Sequence, residues 1–209
     1  MAVFDISELA VSAVMMFAGS TVLSALGFGI GVSTTPVLLM VLDAQTVVVT
    51  VTTVSVAVLV LTLLQTRQYL PVREMMPVSI AGLLGVPLGV WILSSASESA
   101  LRISITALII LLTIAFVFRT RVRIRVPRPL GPLVGFVVGM LLVSLGIGGP
   151  LVVLFLLSRE WARHVVRASL AFYFLVIDFS GVIGYGVAGL FTEERISLIL
   201  IVTVPTLLG

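Results

Sequence analysis

Residues 9–42 run for 34 positions without a charged side chain, and residues 129–158 run for another 30. As one helix the first run would be about 50 Å long, at about 1.5 Å per residue. A bilayer's hydrocarbon core is only about 30 Å thick. Each long run therefore has to turn back inside the apolar layer. The other uncharged runs, residues 44–66, 75–97 and 103–118, suit single crossings. Only 10% of the 209 residues are charged and 60% are hydrophobic, which excludes an ordinary soluble domain, where about 25% are charged. The chain reads as an all-α polytopic membrane protein whose freed backbone groups find partners inside the protein.

Both long runs have a helix-breaking centre. The first reads Gly27-Phe-Gly29-Ile-Gly31-Val-Ser33-Thr34-Thr35-Pro36 and the second Gly146-Ile-Gly148-Gly149-Pro150. Each is expected to form a re-entrant helical hairpin with a Gly-rich tip. The first descends over residues 9–26 and returns over 36–42; the second descends over about 130–145 and returns over 150–157. Thr35 and Gly149 are the expected N-caps, with Pro36 and Pro150 at the first helical position, where a missing N–H costs nothing. Residues 168–192 read as another span, interrupted by Asp178, and residues 196–209 are too short to cross unaided.

All twelve basic residues are arginine, and their positions matter more than the net charge of +3. Placing the loop with Arg119, Arg121, Arg123, Arg125 and Arg128 in the cytoplasm puts loops 67–74 and 159–167 on the same side. Asp5, Glu8, Asp43, Glu98, Glu193 and Glu194 then lie outside with Arg102 and Arg195. The expected location is the cell inner (plasma) membrane, multi-pass, with the N-terminus outside and residues 119–128 cytoplasmic. The acidic N-terminus does not resemble a secretory signal. No nucleic-acid partner is implied, since the arginines serve as a topology code. With no cysteine and His164 as the single histidine, no metal site, cofactor or nucleophile–base constellation is expected, so the chain is not read as an enzyme.

Each half then comprises one hairpin and three crossings, an odd number, so the second starts on the opposite side. The expected organisation is two inverted repeats, residues 1–118 and 130–209, joined by an Arg-rich linker at 119–129. At an offset of 119 Gly27 pairs with Gly146, Gly29 with Gly148 and Thr50 with Ser169; Ala81-Gly-Leu-Leu-Gly85 resembles Pro205-Thr-Leu-Leu-Gly209. The second repeat is expected to be incomplete at its C-terminal end. Inverted repeats with discontinuous helices are a recurrent design of secondary transporters, with substrate near the midplane.

Two half-helices starting at the tips would point unpaired N–H groups and about half a positive charge each toward the centre. A small anion is the natural ligand. The candidate substrate-binding residues are Gly27, Gly29, Gly31, Gly146, Gly148 and Gly149, which allow close approach, and the hydroxyls of Ser33, Thr34 and Thr35. Thr46, Thr50 and Thr53 share one face of the following helix, and Ser169 repeats the Thr50 position; Thr50, Thr53 and Ser169 join the candidates. Tight helix packing is the competing role for the glycines, and bonding to their own helix carbonyls the competing role for the hydroxyls. Asp178 is a candidate for proton coupling, or for a structural hydrogen bond in neutral form. His164, Arg159, Arg163, Arg167, Trp91 and Trp161 read as interfacial anchors.

Gly27-Phe-Gly-Ile-Gly31 followed by Pro36, and Gly146-Ile-Gly-Gly-Pro150, resemble the paired glycine-rich motifs of the TauE/SafE sulfite exporter family. The resemblance runs from about residue 9 to 209. It implies a transporter exporting sulfite or organosulfonates across the bacterial cytoplasmic membrane, with the lipid bilayer as its setting; association as a homodimer stays open. This chain has Ile30 between Gly29 and Gly31, where the family often has consecutive glycines. The alternatives are a passive anion channel, or a non-transporting membrane partner of another enzyme.

Overall fold

The computed structural model describes residues 4–119 and 127–209, with side chains outside 115–119 and Arg128. Arg121, Arg123 and Arg125 of the linker lie outside the described residues. Helix α1 (Ile6–Leu26) is followed by α2 (Ile30–Leu38), α3 (Ala44–Thr66) and a 3-10 turn at Arg67–Tyr69, then α4 (Val72–Ser95) and α5 (Glu98–Arg119). A second 3-10 turn at Arg128–Leu130 leads into α6 (Gly131–Leu145), α7 (Gly149–Leu157), α8 (Arg163–Val187) and α9 (Glu193–Leu208). Among the described residues there is no strand. Among the described residues four helices, α1, α3 with its 3-10 turn, α4 and α8, are long and apolar enough to cross a membrane. The molecule is a multi-pass helical membrane protein.

The helix ends follow from local chemistry. Helices α1 and α6 both stop at a left-handed glycine, Gly27 at φ +81° and Gly146 at φ +69°, whose N–H groups return to the carbonyls of Leu23 and Leu142. This is the C-terminal cap that glycine adopts without a Cβ penalty. Adding 119 to Leu26, Leu38 and Ala44 gives Leu145, Leu157 and Arg163, so α1, α2 and α3 break and restart at the same intervals as α6, α7 and α8.

Several boundaries differ from the sequence reading. Helix α2 starts at Ile30 with Gly29 as its N-cap, so Thr35 and Pro36 lie inside it. Once Gly29, at φ +110°, has turned the chain, nothing between Ile30 and Thr35 stops a helix. The proline then removes only the one backbone bond to Val32. In the second break the cap is Gly148, not Gly149. Helix α5 starts at Glu98 and so takes in Arg102. Helix α8 runs over Arg163–Val187 instead of 168–192, and a left-handed Gly189 follows it. With 21 residues α1 is as long as a full span, so α2 and α7, at nine residues each, are the half-length helices.

Helix α4 lies along α6 with backbones in contact. A Cβ on Gly85 would fall 2.4 Å from the Phe136 carbonyl oxygen, one on Gly135 2.2 Å from that of Val78, and one on Gly139 2.3 Å from that of Gly82. Small residues permit such an approach between membrane helices. Helix α8 ties into the same seam, because the hydroxyls of the buried Tyr173 and Tyr185 donate to the Gly135 and Val143 carbonyls, each at 2.6 Å. Helix α3 is the most buried of the four spans and packs against α8.

Charged groups gather at two ends. At one, the Ala44 N–H donates to the Glu98 carboxylate at 2.9 and 3.0 Å, and Arg102 donates to the Leu39 and Leu42 carbonyls behind α2. Arg195 at the start of α9 joins Thr46, Gln45 and Leu190 there. At the other, the Tyr69 and His164 rings lie 4.4 Å apart, and Glu74, Arg159 and Trp161 surround a common recess.

Candidate functional site

A cavity of about 30 Å³ lies between the two glycine breaks and the middles of α3 and α8. That is room for about two water molecules. Its walls are Phe28–Val32 at the start of α2, Gly146–Gly149 at the start of α7, Val51, Thr52, Ser55 and Leu59 of α3, and Phe174 and Asp178 of α8.

Both half-length helices open onto this space with their N-termini. Ile30, Gly31 and Val32 occupy the first turn of α2, so their N–H groups have no partner within that helix. Ser33 is the first to reach back, to the Gly29 carbonyl at 3.0 Å. Helix α7 offers less. Pro150 has no N–H, and Leu151 donates to the Gly148 carbonyl at 3.2 Å, which leaves Gly149 as the first-turn donor. The breaks cross where a Cβ on Gly31 would lie 1.9 Å from the Gly146 carbonyl oxygen.

Of the residues singled out in the sequence, Gly29, Gly31, Gly146, Gly148, Gly149 and Asp178 line the cavity. Gly27 lies instead against Arg167, whose carbonyl oxygen would be 3.1 Å from its Cβ. The hydroxyls of Ser33, Thr34 and Thr53 donate to the carbonyls of Gly29, Ile30 and Val49, four residues back. Thr35, Thr50 and Ser169 are buried and their hydroxyl oxygens have no partner, but they lie outside the lining. On α3 the reason is rotational. At about 100° per residue Thr46, Thr50 and Thr53 form one stripe, while Thr52, Ser55 and Leu59 form another about 180° away. The second stripe faces the cavity.

Ser55, which the sequence reading did not single out, is the polar partner of Asp178. Its hydroxyl oxygen lies 2.6 Å from Asp178 Oδ2 and 2.8 Å from the Thr52 carbonyl oxygen. Asp178 is 5% exposed, and its Oδ1 is buried without a partner.

Apolar helices of spanning length, two half-length helices opening onto one cavity and a buried carboxyl define a multi-pass helical membrane protein. The chain belongs to the TauE/SafE sulfite exporter family, whose model, described as "Sulfite exporter TauE/SafE", matches residues 11–209. The family is one of membrane transporters. Comparison with curated proteins and with solved structures finds no match.

Proposed function

We propose that the protein is a secondary transporter that exports small sulfur oxyanions, such as sulfite or organosulfonates, across the cytoplasmic membrane. The substrate sits between the N-terminal ends of α2 and α7. One observation carries this reading: both half-length helices open onto the same cavity. Each end contributes about half a positive charge and unpaired N–H groups. Together they would offset about one negative charge, and among the described residues no arginine lines the cavity to hold the anion too tightly for release.

The common interval of 119 residues between corresponding helix ends supports two inverted repeats, 1–118 and 130–209, each opening with a re-entrant hairpin. Charge supports the orientation, with the end that carries Arg67, Arg73, Arg159 and Arg163 facing the cytoplasm. A sulfite ion has four non-hydrogen atoms, more than the present cavity accommodates. Loading therefore requires the lining to part, and the Phe28 and Phe174 rings are the bulky groups to be displaced.

Purified protein in liposomes is expected to carry sulfite or a sulfonate with saturation and counterflow. Gly149→Val points its side chain at the Phe28 and Phe174 rings, which lie 3.2 and 3.7 Å from a Cβ there, and is expected to stop the flux with little change in Tm. Undiminished flux in this variant, or a flux without saturation and counterflow, would sink the proposal.

A further inference from the structure

We propose that Asp178 is the proton carrier of the transport cycle, and that the cavity, once its lining has parted to admit substrate, holds a proton and an oxyanion together so that the two cross as a pair. This rests on the transporter reading and extends it by naming the coupling ion and its stoichiometry.

The Ser55 hydroxyl touches two oxygens, Asp178 Oδ2 at 2.6 Å and the Thr52 carbonyl at 2.8 Å. A hydroxyl has one proton to donate. Were Asp178 ionised, both neighbours would be acceptors and one short contact would hold no hydrogen. Both are satisfied when Asp178 carries the proton and donates from Oδ2 to Ser55, which donates in turn to Thr52. This arrangement accommodates the neutral acid with a separate hydrogen in each of the two short contacts.

The surroundings supply no counter-charge. Helix α3 faces Asp178 with Thr52 and Ser55. On α8 itself, Tyr173 and Tyr185 commit their protons to the Gly135 and Val143 carbonyls of α6. Helices α2, α6 and α7 contain no charged residue, and α4 has only Arg73 and Glu74 in its first turn. Arg67 and Tyr69 sit in the 3-10 turn at the arginine end. Arg163, His164 and Arg167 belong to the first turns of α8, and even Arg167 is about 16 Å from Asp178 along the helix axis.

The link to substrate is the charge of Asp178, which lines the cavity. Oδ1 is buried without a partner on a residue that lines the cavity. An ionised Asp178 would repel an oxyanion in so small a space, whereas the neutral acid does not. Anion binding thus favours protonation, and by reciprocity protonation favours anion binding. A divalent oxyanion moving with one proton keeps a net charge of −1, so an inside-negative potential still drives it outward. A monovalent sulfonate crosses as a neutral pair, driven by its own gradient together with any difference in pH.

The test uses the full chain in liposomes containing a pH-sensitive dye, with a gradient of labelled sulfonate and none of pH. A sulfonate does not itself titrate near neutrality. The expected result is one proton moved per anion, and loss of transport as both sides are made alkaline. Asp178→Asn keeps a neutral side chain that can donate to Ser55. It is expected to lose proton movement and the pH dependence. Anion flux without protons in the unaltered protein, or proton flux surviving in Asp178→Asn, overturns the inference and leaves the transporter reading standing. Absence of both anion flux and binding overturns the transporter reading and this inference with it. Should the variant not fold, the proton-to-anion ratio of the unaltered protein decides alone.

Discussion

Alanine at Gly31, Gly146 and Gly149 separates three different demands that one cavity makes on glycine. At Gly31 the added Cβ would lie 1.9 Å from the Gly146 carbonyl oxygen and 3.1 Å from its carbon, both backbone atoms. Bringing the first contact to the ordinary 3.4 Å moves the two breaks apart by 1.5 Å. Overpacking costs about 1–3 kcal/mol, and the upper end applies because no side chain can swing away. A gain of about 0.5–1 kcal/mol from replacing glycine inside a helix offsets part of this. The net loss is about 2 kcal/mol.

At Gly146 the nearest atom is 3.6 Å away, but φ is +69°, so the cost is conformational and about 1–2 kcal/mol. Gly149 has neither problem, its nearest neighbour being the Phe28 ring edge at 3.2 Å, and alanine there is expected to be close to neutral. Unfolding free energies in detergent micelles, from denaturant titration of helicity, should fall most for Gly31→Ala, less for Gly146→Ala and least for Gly149→Ala. A Gly31→Ala protein as stable as the unaltered one would refute the backbone crossing. A Gly149→Ala protein less stable than Gly146→Ala would refute the division between steric and conformational cost.

Arg195 bonds Thr46 Oγ1 and the Leu190 carbonyl at 2.9 Å and Gln45 Oε1 at 3.1 Å, with half-exposed Asp43 at 3.5 Å. Arg195→Lys, which donates from a single point, should lose about 1.5–3 kcal/mol in thermal melting, and Asp43→Asn less than about 1 kcal/mol through that solvent-screened pair; equal losses would contradict this division. Gly139→Leu should abolish a monodisperse peak in size-exclusion chromatography, since a Cβ there meets the Gly82 carbonyl at 2.3 Å, while Gly186→Leu, with its nearest neighbour 4.0 Å away, should elute normally. Normal elution of both variants would argue against close α4–α6 packing.

What could be read in the chain was whatever depends on local chemistry. The uncharged runs located the apolar middles of the helices because charge is costly in hydrocarbon, and Gly27 and Gly146 marked helix ends because a left-handed cap selects glycine. The start of α2 was misplaced because Thr35-Pro36 is as good a helix start as any, and sequence alone did not show that Gly29 had already turned the chain six residues earlier. On α3 the threonine stripe was visible, but which face meets the cavity depends on how α3 rolls against α8, and that is settled by packing. Ser55 and Asp178 are 123 residues apart. No local pattern announces their meeting, although the cost of a lone carboxyl at that depth made some partner necessary.

The contact between α4 and α6 bears on how such a molecule can move. Gly82, Gly85, Gly135 and Gly139 bring together backbones from the two halves of the chain, and no side chain stands between them to act as a spacer or ratchet. Opening this seam would separate a long line of close-packed atoms at once, whereas turning about it disturbs few. It is built like an axle. The seam runs on through Gly89 to Val143 and Ser144, so it ends beside Gly146, where the two broken backbones cross.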